Sequence, residues 1–94
     1  MPQNDWFVYI VRCADNSLYT GVTTNIERRV FEHNSQTKRG AKYTRSRQPV
    51  SVVYWEQAAN RSIASQREFA IKKMDRPHKN ILIKNLKKSL PDVA

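Results

Sequence analysis

The chain has little that could cross-link it or tie it to a membrane. Cys13 is its only cysteine, so no intrachain disulfide can form, a four-cysteine zinc site is excluded, and a reducing interior suits it. No apolar stretch approaches the ~20 residues needed to span a bilayer. The amino-terminal Met1-Pro2-Gln3-Asn4-Asp5 lacks the basic segment and apolar run of a secretory signal. A cytoplasmic protein with no membrane partner is therefore expected. Acidic residues are also scarce: eight Asp and Glu stand against seventeen Lys and Arg, leaving a formal charge of +9. A positive field over so small a surface points to a polyanion, nucleic acid before membrane. There is no internal repeat and no low-complexity segment. The 94 residues suit a single domain, 1–94, with its core at about 6–86 and short flexible termini. A monomer is the default.

What the chain does contain is punctuated by strand and helix signals. Trp6 to Cys13 is nearly continuous in aromatic and β-branched residues. Ala14-Asp15-Asn16-Ser17 supplies turn formers, and Leu18 to Thr23 makes the second arm of a hairpin. Thr24-Asn25-Ile26-Glu27 has capping-box spacing and predicts a helix running to about Ser35. Ile26 and Val30 would face the core, with Arg29 and His33 on a neighbouring stripe. Gln36 to Pro49 loses apolar periodicity, carries Lys38, Arg39, Lys42, Arg45 and Arg47, and reads as a long basic loop. Val50 to Gln57 resumes strand composition. Asn60 or Ser62 can cap a second helix, with Ile63, Arg67, Ala70, Ile71 and Met74 on one stripe and Glu68 off its centre. Pro77 should break the pattern before a last helix from about His78 to Ser89, ridged by Leu82, Leu86 and Leu90. The fold class is α/β (α+β): a small three-stranded antiparallel sheet flanked by about three helices.

Taken singly, the reactive side chains have ordinary readings. Tyrosines in β-branched runs usually pack a core, and a lone helical glutamate is usually solvated. Together they make a set. Tyr9 and Tyr19 sit in adjacent strands, and side chains alternate faces along a strand. The two phenols therefore share a face only if the hairpin pairs odd positions with odd. A three-residue loop at Asp15-Asn16-Ser17 would achieve this, whereas a two-residue turn would separate them. Gly21 either admits a phosphate close to the backbone or marks a strand irregularity. Lys38, Arg39, Lys42, Arg45 and Arg47 can contact successive phosphates, while Tyr43 either stacks on a base or anchors the loop to the core. No pattern reads as base recognition, so little sequence specificity is expected.

In order and spacing, FVYIVRCADNSLYTGVTTNIERRVFEH, GAKYTRSRQPVSVVYWE and SQREFAIKKM resemble a stand-alone GIY-YIG nuclease domain of the small bacterial type. The likeness covers about Trp6 to Leu86. The first triplet is Phe7-Val8-Tyr9 and the second Tyr19-Thr20-Gly21, so the family's glycine and isoleucine are replaced in one and its isoleucine in the other. Both tyrosines remain. The resemblance implies a metal-dependent endonuclease that hydrolyses DNA phosphodiesters, with branched or single-stranded DNA as candidate substrates and repair or recombination as the setting. It also implies that Tyr9, Tyr19, Gly21, Arg29, His33 and Glu68 line one site.

The chemistry of these side chains agrees with those roles. Glu68 would hold one divalent cation, magnesium or manganese, since hard cations take oxygen ligands and magnesium often keeps several waters beside one carboxylate. Arg29 offers a planar fork that stays charged and suits the scissile phosphate. One tyrosine would take the proton of the attacking water while the other orients water or phosphate. An unperturbed phenol is ionised only to about one part in a thousand at pH 7, so Arg29, a cation on Glu68 or a bond to His33 must help. His33, one turn from Arg29, could bond a phenol or shuttle its proton. The sequence leaves DNA versus RNA open, and so small a domain leaves target choice to a partner protein. Two other readings stand beside the nuclease: a nucleic-acid-binding module of the same fold with little activity alone, and an interaction domain for an acidic protein.

Overall fold

The computed structural model describes residues 5–35 and 41–86. Three strands, β1 (Trp6–Arg12), β2 (Leu18–Thr23) and β3 (Ser51–Ala58), form an antiparallel sheet in the order β2-β1-β3. Four helices accompany it: α1 (Ile26–Asn34), the single turn α2 (Lys42–Arg45), α3 (Arg61–Lys72) and α4 (Arg76–Asn85). The aromatic and β-branched residues of β1 take the central position, where both faces are covered. Val8, Tyr9, Ile10 and Val11 are all buried.

Alternation along β1 divides the interior in two. Val8 and Ile10 pack with Ala58, Ala64 and Ile71, joined by Leu82, so α3 and α4 cover this face. Tyr9 and Val11 pack with Cys13 and Val50, joined by Val30, so α1 covers the other. Burying a side chain such as Ile71 contributes roughly 1.5–3 kcal/mol.

The hairpin pairs Tyr9 with Gly21 and Val11 with Tyr19, odd with odd. Its loop has three residues, as required, but they are Ala14-Asp15-Asn16. Cys13 N–H bonds the Ser17 carbonyl at 2.8 Å, and Asn16 N–H bonds the Cys13 carbonyl at 2.9 Å. Asn16 takes the left-handed conformation, φ 71°, that closes such loops and that asparagine tolerates. The closing pair therefore lies one residue earlier than the sequence suggested, without changing parity.

Four sequence expectations are corrected. Helix α1 is capped by Asn25, whose side chain accepts from Arg28 N–H at 3.0 Å, and not by a Thr24–Glu27 box. The Thr23 hydroxyl, not that of Thr24, accepts from Asn25 N–H. The stretch read as one long basic loop contains α2. On α3, capped by Asn60, the inward residues are Ala64 and Ile71, whereas Ile63 is 46% exposed and Ala70 also faces solvent. Pro77 starts a helix rather than breaking one: it sits in the first turn of α4, behind the Asp75 cap, where a missing N–H costs nothing. Ser89 and Leu90 lie outside the described residues.

Candidate active site

The site is built on the odd face of the sheet, beside the β2 edge. Tyr9 projects from the central strand and leans across its partner Gly21. A Cβ on Gly21 would stand 2.5 Å from the Tyr9 hydroxyl and 2.7 Å from Cζ, so any side chain there would displace the ring. This gives a third reason for the glycine, beyond the two weighed from sequence: its φ is not positive, and what it supplies is room for Tyr9.

Tyr9 Oη lies 2.8 Å from His33 Nε2, and His33 Nδ1 lies 2.8 Å from Thr44 Oγ1. Tyr9, His33 and Thr44 are all essentially fully buried, so strand, α1 and α2 are joined by one water-excluded chain of hydrogen bonds. Its low dielectric makes each bond matter. Burial pushes the Tyr9 phenol up to about 12, although the bond and charge from Arg29 pull the other way; Tyr19 and Glu68 add to the rise. Burial lowers His33 to about 4, assisted by the Arg29 charge and opposed by Glu32. At pH 7 the phenol is protonated and the imidazole neutral.

Arg29 reaches this chain from α1. It donates to Glu32 Oε1 at 3.0 Å, and its charge bears on the Tyr9 hydroxyl. Burial works against its charge, but the bonds to Glu32 and Tyr9 outweigh that and raise its pKa. Arg29 and Glu32 thus form a salt bridge within α1, and it coexists with the influence of Arg29 on the phenol. Tyr19 presents its ring near His33, edge to face, with centroids 5.4 Å apart.

Glu68 comes from the other layer. It sits on α3 between the buried Ala64 and Ile71, and α3 packs over the edge strand β2. Its carboxylate bears electrostatically on Tyr9. One turn later, Lys72 Nζ is 3.1 Å from Glu68 Oε2 and 5.9 Å from the Tyr19 ring centroid. Glu68 and Lys72 thus approach the phenols past the sheet edge. The Glu68 side chain is 23% exposed. No group of three or more His, Cys, Asp or Glu able to hold a metal occurs among the described residues. One hard, partly exposed carboxylate fits a hard divalent cation that keeps water or substrate oxygens as its remaining ligands, and does not fit a closed zinc site.

The basic segment divides into clamps and exposed cations. Tyr43 stacks on Tyr19 with centroids 5.8 Å apart and carries the Arg47 guanidinium 4.0 Å over its ring, which favours the anchoring role for Tyr43. Arg47 also donates to Asp15 Oδ2 at 3.1 Å and to the Tyr43 carbonyl at 2.8 Å. It thereby fastens α2 to the β1–β2 turn. Lys42 and Arg45 are exposed on α2, while Lys38 and Arg39 lie outside the described residues.

The sequence reading missed Thr44 and Lys72. Lys72 was legible as the i+4 partner of Glu68. Thr44 carried no local signal, because its partner is eleven positions away on another helix.

Comparison with known proteins bears on the family and the fold. Residues 5–81 match the model of the GIY-YIG catalytic domain. A UPF0213 protein from Desulfotalea psychrophila is 58% identical over 86 residues, 88% of this chain and 77% of that one. Another from Syntrophus aciditrophicus is 54% identical over 78 residues, 83% of this chain and 88% of the relative. Two solution NMR structures are similar. The protein EF2693 from E. faecalis has TM-score 0.59 and 41% identity, with 89% of this chain and 88% of that one covered. The UPF0213 protein BH0048 from Bacillus halodurans has TM-score 0.54 and 38% identity, with 85% and 83% covered. Among the described residues no helix is long and apolar enough to cross a membrane.

Proposed function

The chain belongs to the GIY-YIG family, and from that premise we propose that it is a divalent-metal-dependent endonuclease hydrolysing DNA phosphodiester bonds, with Tyr9, Tyr19, Arg29, His33 and Glu68 as its catalytic residues. The observation that carries this reading is the Tyr9–His33 hydrogen bond with the Arg29 guanidinium and the Glu68 carboxylate both near enough to act on the phenol.

Glu68 would hold the cation, magnesium or manganese; bound there, it supplies Lewis-acid stabilisation of charge on the phosphate and the departing oxygen. Arg29 turns its fork to a non-bridging oxygen, exchanging part of its bonding to Glu32 for the phosphate. Tyr9 accepts the proton of the attacking water while giving its own to His33 Nε2. A free phenolate is too scarce to serve: with a pKa of about 12, roughly one phenol in a hundred thousand is ionised at pH 7. Transfer to His33 is eased by the substrate itself, because a phosphate beside Arg29 offsets the guanidinium charge that adds to burial in holding the imidazole pKa down. Tyr19, packed against His33, orients the water or the phosphate. Lys42 and Arg45 contact backbone phosphates, joined by Lys38 and Arg39, while Arg47 and Tyr43 brace the element that presents them. We place the protein in the cytoplasm, acting in DNA repair or recombination, with a partner protein supplying target choice.

The test is a cleavage assay with purified protein on supercoiled, single-stranded and branched DNA, and on RNA, with magnesium, manganese or chelator. Metal-dependent products from DNA are expected. Binding without products on every substrate would favour a nucleic-acid-binding module of the same fold.

A further inference from the structure

Thr44 is fully buried, lies outside the set of residues assigned chemistry above, and touches the reactive group only through His33. Its hydroxyl has one proton to give, and the Ala41 carbonyl accepts it at 3.0 Å. With that proton directed at Ala41, whose carbonyl also accepts from the Thr44 and Arg45 N–H groups at 3.1 Å, Thr44 presents a lone pair toward His33 Nδ1, 2.8 Å away, and an Nδ1–H completes the bond. In a neutral ring Nε2 is then a bare acceptor. The other end of the chain agrees: the Arg29 charge acts on the Tyr9 oxygen, which favours turning the lone pairs toward the guanidinium and the O–H toward Nε2, 2.8 Å away. Ala41 N–H also approaches Nδ1, but at 3.4 Å it is too long to outweigh the shorter bonds.

We infer that Thr44 is a positioning residue: it fixes the Nδ1–H tautomer of His33 and so aims the ring's free lone pair at the Tyr9 proton. This rests on the reading of Tyr9 as proton acceptor. The opposite tautomer would direct an N–H at Tyr9 and close the route by which the phenol passes its proton on.

The imidazole nitrogen resonances of His33, read by long-range proton–nitrogen NMR at pH 7, test the inference without any substrate. In the wild type Nδ1 should be protonated and Nε2 bare, and Thr44→Ser should preserve this. Thr44→Val removes the acceptor and leaves only Ala41 N–H beside Nδ1, so the tautomer ratio should move about tenfold toward Nε2–H. Cleavage by Thr44→Val should fall about a hundredfold in kcat with KM little changed, and Thr44→Ser should recover most of the rate. A wild-type ring protonated on Nε2 overturns the inference, and this measurement stands even if Thr44→Val does not fold. An unchanged tautomer in folded Thr44→Val overturns it too. A wild type that cleaves no DNA would sink the nuclease reading instead, leaving the nitrogen spectra to decide the part played by Thr44.

Discussion

The two faces of β1 are made by alternate residues of the same seven-residue strand, yet they are stabilised by different physics. On the even face Val8 and Ile10 meet Ala64 and Ile71 in hydrocarbon contact. Such packing is non-directional and tolerates substitutions of similar volume. On the odd face the buried Tyr9, His33 and Thr44 are held by directed bonds of 2.8 Å. An unsatisfied member there costs its full desolvation. On the proposed function the difference assigns separate duties: one face secures the fold and the other holds the reactive groups in register. Glu68 and Lys72 bridge them from the α3 side of the β2 edge.

Breaking each side separately gives the largest effects. Glu68→Gln should abolish cleavage, a loss on the order of a thousandfold or more, with thermal stability nearly unchanged because its Lys72 partner is half exposed and such pairs contribute little. Ile71→Ala on the even face should do the reverse, costing roughly 2–5 kcal/mol by denaturant titration while folded molecules cleave at the wild-type rate. If either variant lost both properties together, the separation of duties would be wrong.

Gly21→Ala tests how tightly the odd face is built. The new Cβ would lie 2.5 Å from the Tyr9 hydroxyl, so the ring must move away from His33. Overpacking should cost about 1–3 kcal/mol, and cleavage should fall well beyond what that destabilisation explains. A wild-type rate would show that the position of Tyr9 is unimportant.

His33 sharpens the comparison through pH. Its folded-state pKa of about 4 lies below the ordinary value near 6.5, so the unfolded chain binds the proton first as pH falls. The stability that comes from keeping the ring neutral is complete above about pH 6.5 and is lost between there and pH 4, up to roughly 3 kcal/mol. Denaturant titrations across this window should show that slope in the wild type and a shallower one in His33→Gln. Equal slopes would place the pH dependence elsewhere.

The smallest effects concern α2. Replacing Lys42 and Arg45 with alanine should reduce the slope of log binding constant against log salt by about 0.9 for each phosphate that is no longer neutralised. Arg47→Ala should leave that slope nearly unchanged and destabilise slightly, because its guanidinium already serves Asp15 and the Tyr43 carbonyl.

The sheet was legible because β-branched runs and turn formers are local signals. The parity that brings Tyr9 and Tyr19 together followed from one loop length. The stripe on α3 was misread because periodicity alone could not tell Ile63 from Ala64. The larger side chain faces water, and it is Ala64 that packs with Val8 and Ile10 against the sheet. Tyr9, Arg29, His33 and Glu68 came as a set from the family resemblance, and their side-chain chemistry agreed with it. Their mutual distances, and Thr44 behind them, depend on α2 folding back onto α1, which no short-range pattern records.

The most direct measurement is the single-turnover nicking rate of wild type and Glu68→Gln on the same DNA, under saturating binding with magnesium or manganese present. Nicked product is expected from the wild type and virtually none from the variant at equal DNA occupancy. Equal rates for the two proteins, or a wild type that is fully bound and produces no nick, would contradict this expectation.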